Sequence, residues 1–496
     1  MLSLRPAMRI LMISAEVETF ARTGGLGDVV FGLGRALARL GHDVCVVTPL
    51  YGTTPLAREH HFWHGTVGAR VGWGGEHVRQ LGVCEVPDRS VGPGTLRFCL
   101  LADEYLFGSR YGIYGDGSGT FGDNELRFAT LSRGGLEVAA RLWPQGFDVL
   151  HAHDWHAALA ILYARTTMGE WFRRIPAVFT IHNLAYQGTL GFDALDRLGV
   201  PRELFHWRAL EHQGNVNIMK GAIALADVVT TVSPTYAKEI RRPESGFYLD
   251  WFLRMHQAKL VGLANGIDDE RFDPTTDGRI VQRFGPDDVR AGKWVNKKAL
   301  LGEFDLEVDD APLFASVSRL TDQKGIDLFL ETIPSLVDRG AKVVFVGTGD
   351  TGLENAMRAA SLRYPGRVGV RLTFDPALAQ RVYAGSDFVV VPSRFEPCGL
   401  TQMYAMRYGS IPIVTDVGGL HDTVEPANLA RGTGTGFVAA SPSVVDLLVA
   451  CEDALSAYVA RHAFHDLRLQ AMAVDNSWRS SAQRYVDEVY RRAGAR

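Results

Sequence analysis

Residues 393–402 carry a carboxylate, a thiol and a hydroxyl in the sequence Ser-Arg-Phe-Glu-Pro-Cys-Gly-Leu-Thr-Gln. A β-branched apolar run ends just before this segment, and we predict that a helix begins at about Gly399. The first N–H groups of such a helix, together with the Thr401 hydroxyl, can hold a phosphate. Glu396 would repel that phosphate, so we expect it to accept hydrogen bonds from hydroxyl groups of an attached sugar. A plain helix N-cap is the alternative.

Two cations lie five residues apart in a second segment, residues 318–325, which follows another predicted strand. The planar guanidinium of Arg319 and the compact ammonium of Lys324 can clamp a diphosphate together. The alternative interpretation is a solvated loop.

A third segment, residues 22–28, is a glycine-rich turn between a predicted strand and a predicted helix. Glycines allow the backbone to turn tightly and to present N–H groups to an anion. The N-terminus of the helix adds a partial positive charge, and Arg22 adds a full one. We therefore expect an anion site that includes Gly24 and Gly25, although a tight turn that serves packing alone would have the same composition.

Residues 347–352 form a literal G-x-G-x-x-G motif that includes Gly349, and Asp375 follows 23 residues after the last glycine. Taken alone, this spacing would indicate a dinucleotide-dependent dehydrogenase. The motif follows the second predicted strand of its domain, however, whereas the first strand leads to the two cations. It favours nucleotide binding over hydride transfer.

Three histidines and Asp154 lie within residues 148–156, Asp-Val-Leu-His-Ala-His-Asp-Trp-His. They could suggest a metal site, but His151 and His153 fall on the predicted strand and the others beyond its end, which makes convergence on one ion uncertain. We expect His151 to be structural and Asp154 to line a cleft at the carboxyl end of the strand. His182 ends the next strand in the same way, and we expect it, like Asp154, to line the cleft.

Short β-branched strands alternate with helices in two series, which predicts α/β doubly wound sheets with both faces covered. The first series comprises residues 9–14, 44–49, 148–153, 177–182 and 227–233. The second comprises residues 313–318, 341–346, 367–373, 387–393 and 411–415. A chain of 496 residues also exceeds the size of one hydrophobic core. We place the domain boundary after Asp268, with helical spacing again in residues 477–490.

Composition excludes several classes of protein. With 52 basic and 56 acidic residues, the net charge of −4 offers no general attraction to nucleic acid or to an anionic membrane. Five widely spaced cysteines without a C-x-x-C pair argue against a disulfide framework and a zinc ribbon, and favour the cytoplasm. Cys398 has no obvious basic partner, so we expect a shape-filling or substrate-contacting thiol and not a nucleophile. We also expect no membrane helix, because no apolar run approaches ~18–20 residues.

Together these segments resemble the bacterial glycogen synthases and plant starch synthases, glycosyltransferase family 5. The resemblance covers nearly the whole chain, from residues 23–28 to the terminal Ser477-Trp478. A related family of retaining transferases usually has a second Glu eight residues after the first, where this chain has Tyr404.

The resemblance implies a GT-B fold, with two Rossmann-like domains facing across a deep cleft. An acceptor-side domain would span residues 1–268 and a nucleotide-sugar domain residues 269–476, and the helix 477–496 would cross back to the first. It implies transfer of glucose from ADP-glucose to the non-reducing end of an α-1,4-glucan such as glycogen, with retention of configuration and without cofactor or metal. The implied catalytic residues are His182, Arg319, Lys324 and Glu396. The implied donor-binding residues are Arg22, Gly24, Gly25, Asp28, Asp154, Asn265, Gly349, Cys398, Gly399, Leu400 and Thr401.

The chain departs from the resemblance at Arg22, where most members of the family have Lys. A planar fork is not interchangeable with an ammonium, so donor affinity or nucleotide preference is in question at this position. A weak homologue that binds glucan or nucleotide, a dehydrogenase, and another GT-B transferase with a small acceptor are the rival hypotheses.

Overall fold

Contacts divide the chain into two α/β units in a computed structural model that describes residues 7–56, 62–72 and 77–495. Unit 1 comprises Met1–Gly266 and Trp478–Arg496, and unit 2 comprises Ile267–Ser477. The division thus lies two residues before the boundary predicted after Asp268.

Unit 1 is built on a large sheet whose first strands are buried on both faces. Its strands are β1 (Arg9–Ile13), β2 (Asp43–Pro49), β3 (Phe62–Val71), β4 (His77–Asp88), β5 (Thr95–Ala102), β6 (Val149–His153), β7 (Ala177–Ile181), β8 (Val228–Thr231) and β9 (Leu260–Gly262). Across the described residues their order is β9-β8-β7-β6-β1-β2-β5-β4-β3. Pairing is parallel from β9 to β5, and β3 and β4 add an antiparallel edge. Parallel order brings the carboxyl ends of β1, β6 and β7 together at one edge of the sheet.

Helices cover this sheet because each presents an apolar face to it. The helix Gly25–Arg39, for example, buries Val29, Val30, Leu33 and Leu37. The other α-helices of unit 1 are Asn124–Leu142, Asp154–Thr166, Glu170–Arg173, Ala194–Leu198, Ile218–Leu225, Pro234–Glu239, Asp250–Met255, Trp478–Arg484 and Arg491–Gly494, and a π-helical turn, Tyr485–Tyr490, joins the last two.

Unit 2 repeats the plan with a smaller sheet that is parallel throughout. Its strands are β10 (Leu313–Val317), β11 (Lys342–Val346), β12 (Val368–Arg371), β13 (Phe388–Val391), β14 (Ile411–Thr415) and β15 (Phe437–Ala439), in the order β12-β11-β10-β13-β14-β15. Its helices are Val289–Glu303, Ile326–Asp338, Thr351–Arg363, Pro376–Gly385, Thr401–Arg407, Gly418–Thr423, Val444–Val459 and Arg461–Ala473. The helix predicted to begin at about Gly399 therefore begins at Thr401.

The C-terminal segment packs on the first helix of unit 1. Trp478 is buried, and its indole Nε1 lies 2.0 Å from where a Cβ on Gly32 would be placed. The hydroxyl of Ser481 donates to the carbonyl of Ala264, and Tyr485 is fully buried. Gly32 thus leaves room for the indole that fixes this segment.

We expect Gly32→Ala to lower the unfolding temperature, because the added methyl group must displace the buried indole of Trp478, at a cost of about 1–3 kcal/mol. Gly34→Ala, in the same helix, is the matched control. A Cβ on Gly34 would meet Leu96 and Val46 at 3.5 Å, an ordinary contact. It should leave the unfolding temperature unchanged or raise it. Equal unfolding temperatures for the two variants would contradict the packing described here.

Candidate active site

A buried carboxylate holds the glycine-rich turn of unit 1. Glu16, only 3% exposed, follows β1 and accepts hydrogen bonds from the backbone N–H groups of Thr23 (2.7 Å) and Gly24 (3.1 Å). Its other oxygen accepts from the hydroxyls of Thr23 (2.8 Å) and Tyr114 (2.6 Å). The Gly24 amide, which we expected to face an external anion, is therefore satisfied within the protein. The helix begins at Gly25, four residues earlier than the turn of residues 22–28 predicts, so Gly25 and Asp28 belong to its first turn.

The positive charge of Arg22 is paired with two carboxylates close to the same turn. Its Nε lies 3.1 Å from a carboxylate oxygen of Asp28, and one of its terminal nitrogens lies 3.8 Å from Glu18. The structure brings Arg22 and Asp28 together, but as partners of each other. Their predicted contacts with a donor stay predictions.

Asp154 has an unusual backbone and an unusual carboxyl group. Its φ of +57° lies in the left-handed region, which non-glycine residues adopt rarely and often at functional sites. The carboxyl Oδ1 accepts from the backbone N–H groups of His182 (2.8 Å) and Asn183 (3.4 Å). Burial raises the pKa of Asp154 to about 7, although both of these hydrogen bonds act in the opposite direction. Asp154 thus connects the ends of β6 and β7.

The histidines at this edge form a buried group. Nδ1 of His153 lies 3.0 Å from Nε2 of His182, and the ring of His153 contacts that of His151 in a tilted arrangement, with centroids 4.0 Å apart. His151 contacts Thr180 at 2.6 Å and Tyr490 at 3.0 Å. Burial lowers the pKa of His182 and of His151 to about 3, so both are neutral at neutral pH.

The predicted metal alternative finds no support in this group. Within residues 7–56, 62–72 and 77–495, no three His, Cys, Asp or Glu side chains are arranged to hold a metal ion. Asn265, three residues after β9, is 7% exposed, and its Oδ1 is buried without a hydrogen-bond partner in the described part of unit 1. An unsatisfied buried acceptor of this kind makes Asn265 a candidate ligand-contacting residue.

In unit 2 the predicted catalytic cation and carboxylate meet. Nζ of Lys324 lies 2.5 Å from Oε2 of Glu396, which also accepts from the Ser393 hydroxyl at 2.9 Å. Gly325 makes this approach possible, because it has a φ of +59° and a Cβ there would lie 2.0 Å from the Pro392 carbonyl oxygen. The loops after β10 and β13 are thereby packed against each other.

Arg319 differs from the other site cations. It is exposed, and we find no ion-pair or hydrogen-bond partner for its side chain among the described residues. The backbone of the G-x-G-x-x-G segment packs directly against the Arg319 loop. Cβ atoms on Gly347 and Gly349 would lie only 1.9 Å and 2.4 Å from the carbonyl oxygens of Ser318 and Leu320, so only glycine fits there.

The contacts of Gly349 and of Asp375 weaken the dehydrogenase alternative. The Gly349 N–H donates to the carboxylate of Glu354 at 3.2 Å. Asp375, the supposed ribose ligand, accepts from the N–H groups of Ala377 (2.8 Å) and Leu378 (3.0 Å) and so caps a helix. The motif supports the Arg319 loop, and donor contact by Gly349 stays a prediction.

The turn from Cys398 to Thr401 is hydrogen-bonded to a side chain of the helix that follows it. The Gln402 side-chain amide donates to the carbonyls of Cys398 (3.2 Å) and Gly399 (3.0 Å). Cys398 is buried, whereas Gly399, Leu400 and Thr401 are partly exposed at the start of the helix. These residues lie together with Glu396 in one loop of unit 2.

Sequence reasoning missed Glu16 and Tyr114, which fix the glycine-rich turn. The signal for Glu16 was its position after β1, beside the motif. Nothing in the sequence connects it with Tyr114, 98 residues further on.

Comparisons with known proteins find matches over nearly the whole chain. The sequence model of the starch synthase catalytic domain matches residues 9–255, and that of glycosyl transferases group 1 matches residues 303–466. The glycogen synthase of Myxococcus xanthus is 42% identical over 482 residues, which cover 96% of this chain and 98% of that protein. That of Novosphingobium aromaticivorans is 39% identical, covering 97% and 98%. The chain belongs to the glycogen synthase family.

A solved structure extends this likeness to the fold. The catalytic domain of starch synthase IV from Arabidopsis thaliana, bound to ADP and acarbose, superposes with a TM-score of 0.89 and 31% identity. The match covers 99% of this chain and all of that one. The predicted GT-B fold and glycosyltransferase activity are confirmed. None of the helices in the described ranges has the length and apolar character of a membrane-spanning helix.

We predict that Glu16→Ala destabilises the protein more than Glu16→Gln. Alanine removes the charged acceptor of the N–H groups of Thr23 and Gly24, at a cost of about 1–3 kcal/mol. Glutamine keeps one carbonyl oxygen for them, and both hydroxyls can reverse their hydrogen bonds. Thermal unfolding measures the difference, and equal losses for the two variants would show that the carboxylate does not hold the turn.

We expect a pH-dependent gain of stability in Asp154→Asn. The Asp154 carboxyl has a pKa of about 7 when folded and near 4 when unfolded, so the folded state binds the extra proton between these values. Its contribution to stability therefore falls as the pH rises from about 4 to 7. Asparagine has no such titration and tolerates a positive φ.

The unfolding temperature of the Asp154→Asn variant, relative to wild type, should therefore rise from pH 4 to pH 7 by the equivalent of roughly 2–4 kcal/mol and then level off. Taking the difference removes the opposite contribution of the buried histidines. A difference that stays constant with pH would exclude a raised pKa at this carboxyl.

Proposed function

We propose that this chain transfers glucose from ADP-glucose to the non-reducing end of an α-1,4-glucan such as glycogen, with retention of the α configuration. The observation that carries the proposal is the full-length likeness to a starch synthase catalytic domain bound to ADP and acarbose. The proposed reaction needs neither metal nor cofactor, because the cationic side chains of unit 2 supply the positive charge.

The leaving diphosphate would be neutralised by Arg319 and Lys324. Arg319 is exposed and unpartnered in the described structure, so its guanidinium can bind phosphate without first breaking an ion pair. Lys324 is held in place by Glu396 at 2.5 Å. Positioned cations of this kind stabilise charge that develops in the transition state.

The sugar would be contacted by Glu396, by the turn Cys398–Thr401, and by His182, Asp154 and Asn265. Because His182 is neutral, it would act as a hydrogen-bonding group and not as a source of positive charge. The unpartnered Oδ1 of Asn265 supports a contact with a sugar hydroxyl. Contacts of Arg22, Gly24, Gly25, Asp28 and Gly349 with the donor are also part of the proposal.

Retention would proceed by attack on the same face from which ADP departs. A double displacement requires a free carboxylate as nucleophile. Oε2 of Glu396 is shared by the Lys324 ammonium and the Ser393 hydroxyl, and Oδ1 of Asp154 is bound by two backbone N–H groups. These contacts support a mechanism in which the departing phosphate takes the proton of the acceptor hydroxyl.

We expect glycogen-dependent release of ADP from ADP-glucose, and a turnover about 10²–10³-fold lower in Lys324→Ala, because one donor to the transition state is lost. Lys298→Ala is the matched control, since Lys298 is an exposed lysine of the same unit on the helix Val289–Glu303. Parallel assays with UDP-glucose define the nucleotide preference.

Three results would contradict the proposal. Glycogen binding without turnover would reduce the protein to a glucan-binding homologue. Activity of the Lys324 variant within a few-fold of wild type would remove its role at the leaving group. Products in which the new linkage is β, read from the anomeric proton coupling, would exclude retention.

A further inference from the structure

His153 and His182, at the ends of β6 and β7, share one hydrogen bond between their rings. Nδ1 of His153 and Nε2 of His182 are 3.0 Å apart, so one of them carries the hydrogen and the other accepts it. Both rings are neutral, because burial lowers the pKa of each. The choice therefore fixes which tautomer each histidine adopts.

The surroundings of His153 decide between the two arrangements. His153 is fully buried, and its Nε2 has no hydrogen-bond partner within the described ranges. If Nε2 carried the hydrogen, a buried N–H donor would be left unsatisfied. Among buried backbone groups, orphaned N–H donors are rarer than under-satisfied acceptors, and we apply the same preference to the imidazole. The hydrogen of His153 therefore belongs on Nδ1, pointing to His182.

The ring of His153 is held in the orientation that this hydrogen bond requires. It lies against His151 with the ring planes tilted by 35°, and the two nitrogens of His151 contact Thr180 and Tyr490. Thr180 in turn shares a hydrogen bond of 2.6 Å with Thr230. The position of His151 is thus fixed by buried hydrogen bonds, and His151 in turn limits the orientation of the His153 ring.

We propose that His153 is a positioning residue that sets the tautomer of His182, so that His182 presents Nδ1–H as a hydrogen-bond donor. Nε2 of His182 accepts from His153 and is therefore not available as a base. We find no protein partner for Nδ1 of His182 among the described side chains and backbone groups. The group that it recognises must accordingly be an acceptor, and, resting on the proposed function, we assign it to a hydroxyl oxygen of the transferred glucose.

The backbone of His182 is fixed from the other side. Its N–H donates to Asp154 at 2.8 Å, so the main chain and the imidazole are held by two neighbouring residues, Asp154 and His153. With both ends held, the direction of Nδ1–H is determined before a substrate binds. Such preorganisation avoids the cost of orienting the donor during the reaction.

The test is ¹⁵N NMR of the full chain labelled at histidine nitrogens, without ligand, between pH 6 and pH 8. The His182 signals are those that disappear in His182→Asn. We expect a protonated, pyrrole-type Nδ1 and an unprotonated, pyridine-type Nε2 for His182. The opposite pattern in the wild-type protein would overturn the proposal, whatever the variants do.

Two substitutions of His153 separate positioning from packing. An asparagine amide can replace the Nδ1–H donor, so His153→Asn should keep the tautomer of His182. His153→Leu lacks a donor, and the His182 signals should move towards the Nε2–H form, with kcat lowered about 10- to 100-fold. The KM for ADP-glucose should change less than kcat. Unchanged His182 signals in the leucine variant would overturn the assignment.

His156→Phe is the matched control. His156 is also buried and stacks on Tyr114 with centroids 4.7 Å apart, but it makes no hydrogen bond to His182. Its loss should leave the His182 signals in place. The spectra require no substrate, so a correct tautomer in a protein that fails to use ADP-glucose would refute the proposed function while upholding the role of His153.

Discussion

Buried carboxylates that bind the loops at the carboxyl ends of parallel strands are the interactions on which the candidate site depends. Glu16 holds the glycine-rich turn after β1, Asp154 joins the ends of β6 and β7, and Glu396 joins the loops after β10 and β13. Loops of this kind have few apolar contacts of their own. A buried charge is costly unless it is satisfied, so each carboxylate requires its loop to stay in one conformation.

This arrangement also shapes the electrostatics of the site. Backbone N–H groups compensate the carboxylate of Glu16 and Lys324 compensates that of Glu396, whereas burial raises the pKa of Asp154 to about 7 despite its two N–H donors. The histidines add no charge, because burial keeps His151, His153 and His182 neutral. Arg319 is then the site cation whose charge is not already shared within the described structure.

Much of this architecture could be predicted from the sequence, because parallel strands buried on both faces are continuous apolar runs. All ten predicted strands are present, each within two residues of its expected ends. The antiparallel edge, β3 to β5, was not predicted. Residues 62–66 of β3 are exposed and only Val67, Ala69 and Val71 are buried, so the periodic signal is confined to one end of a long strand.

The predicted glycine-rich turns do follow their strands, for a reason that the glycines only partly explain. A glycine-rich loop that binds phosphate and one that lies against another backbone have the same composition. At Gly347 and Gly349 the structure shows the second case, since any side chain would collide with the carbonyls of Ser318 and Leu320. At Gly24 the N–H group faces Glu16, a residue of the same unit. Sequence reasoning can find such turns because the backbone demands glycine in either case. It cannot decide what the N–H groups face, because that depends on carboxylates brought in by separate elements of the fold.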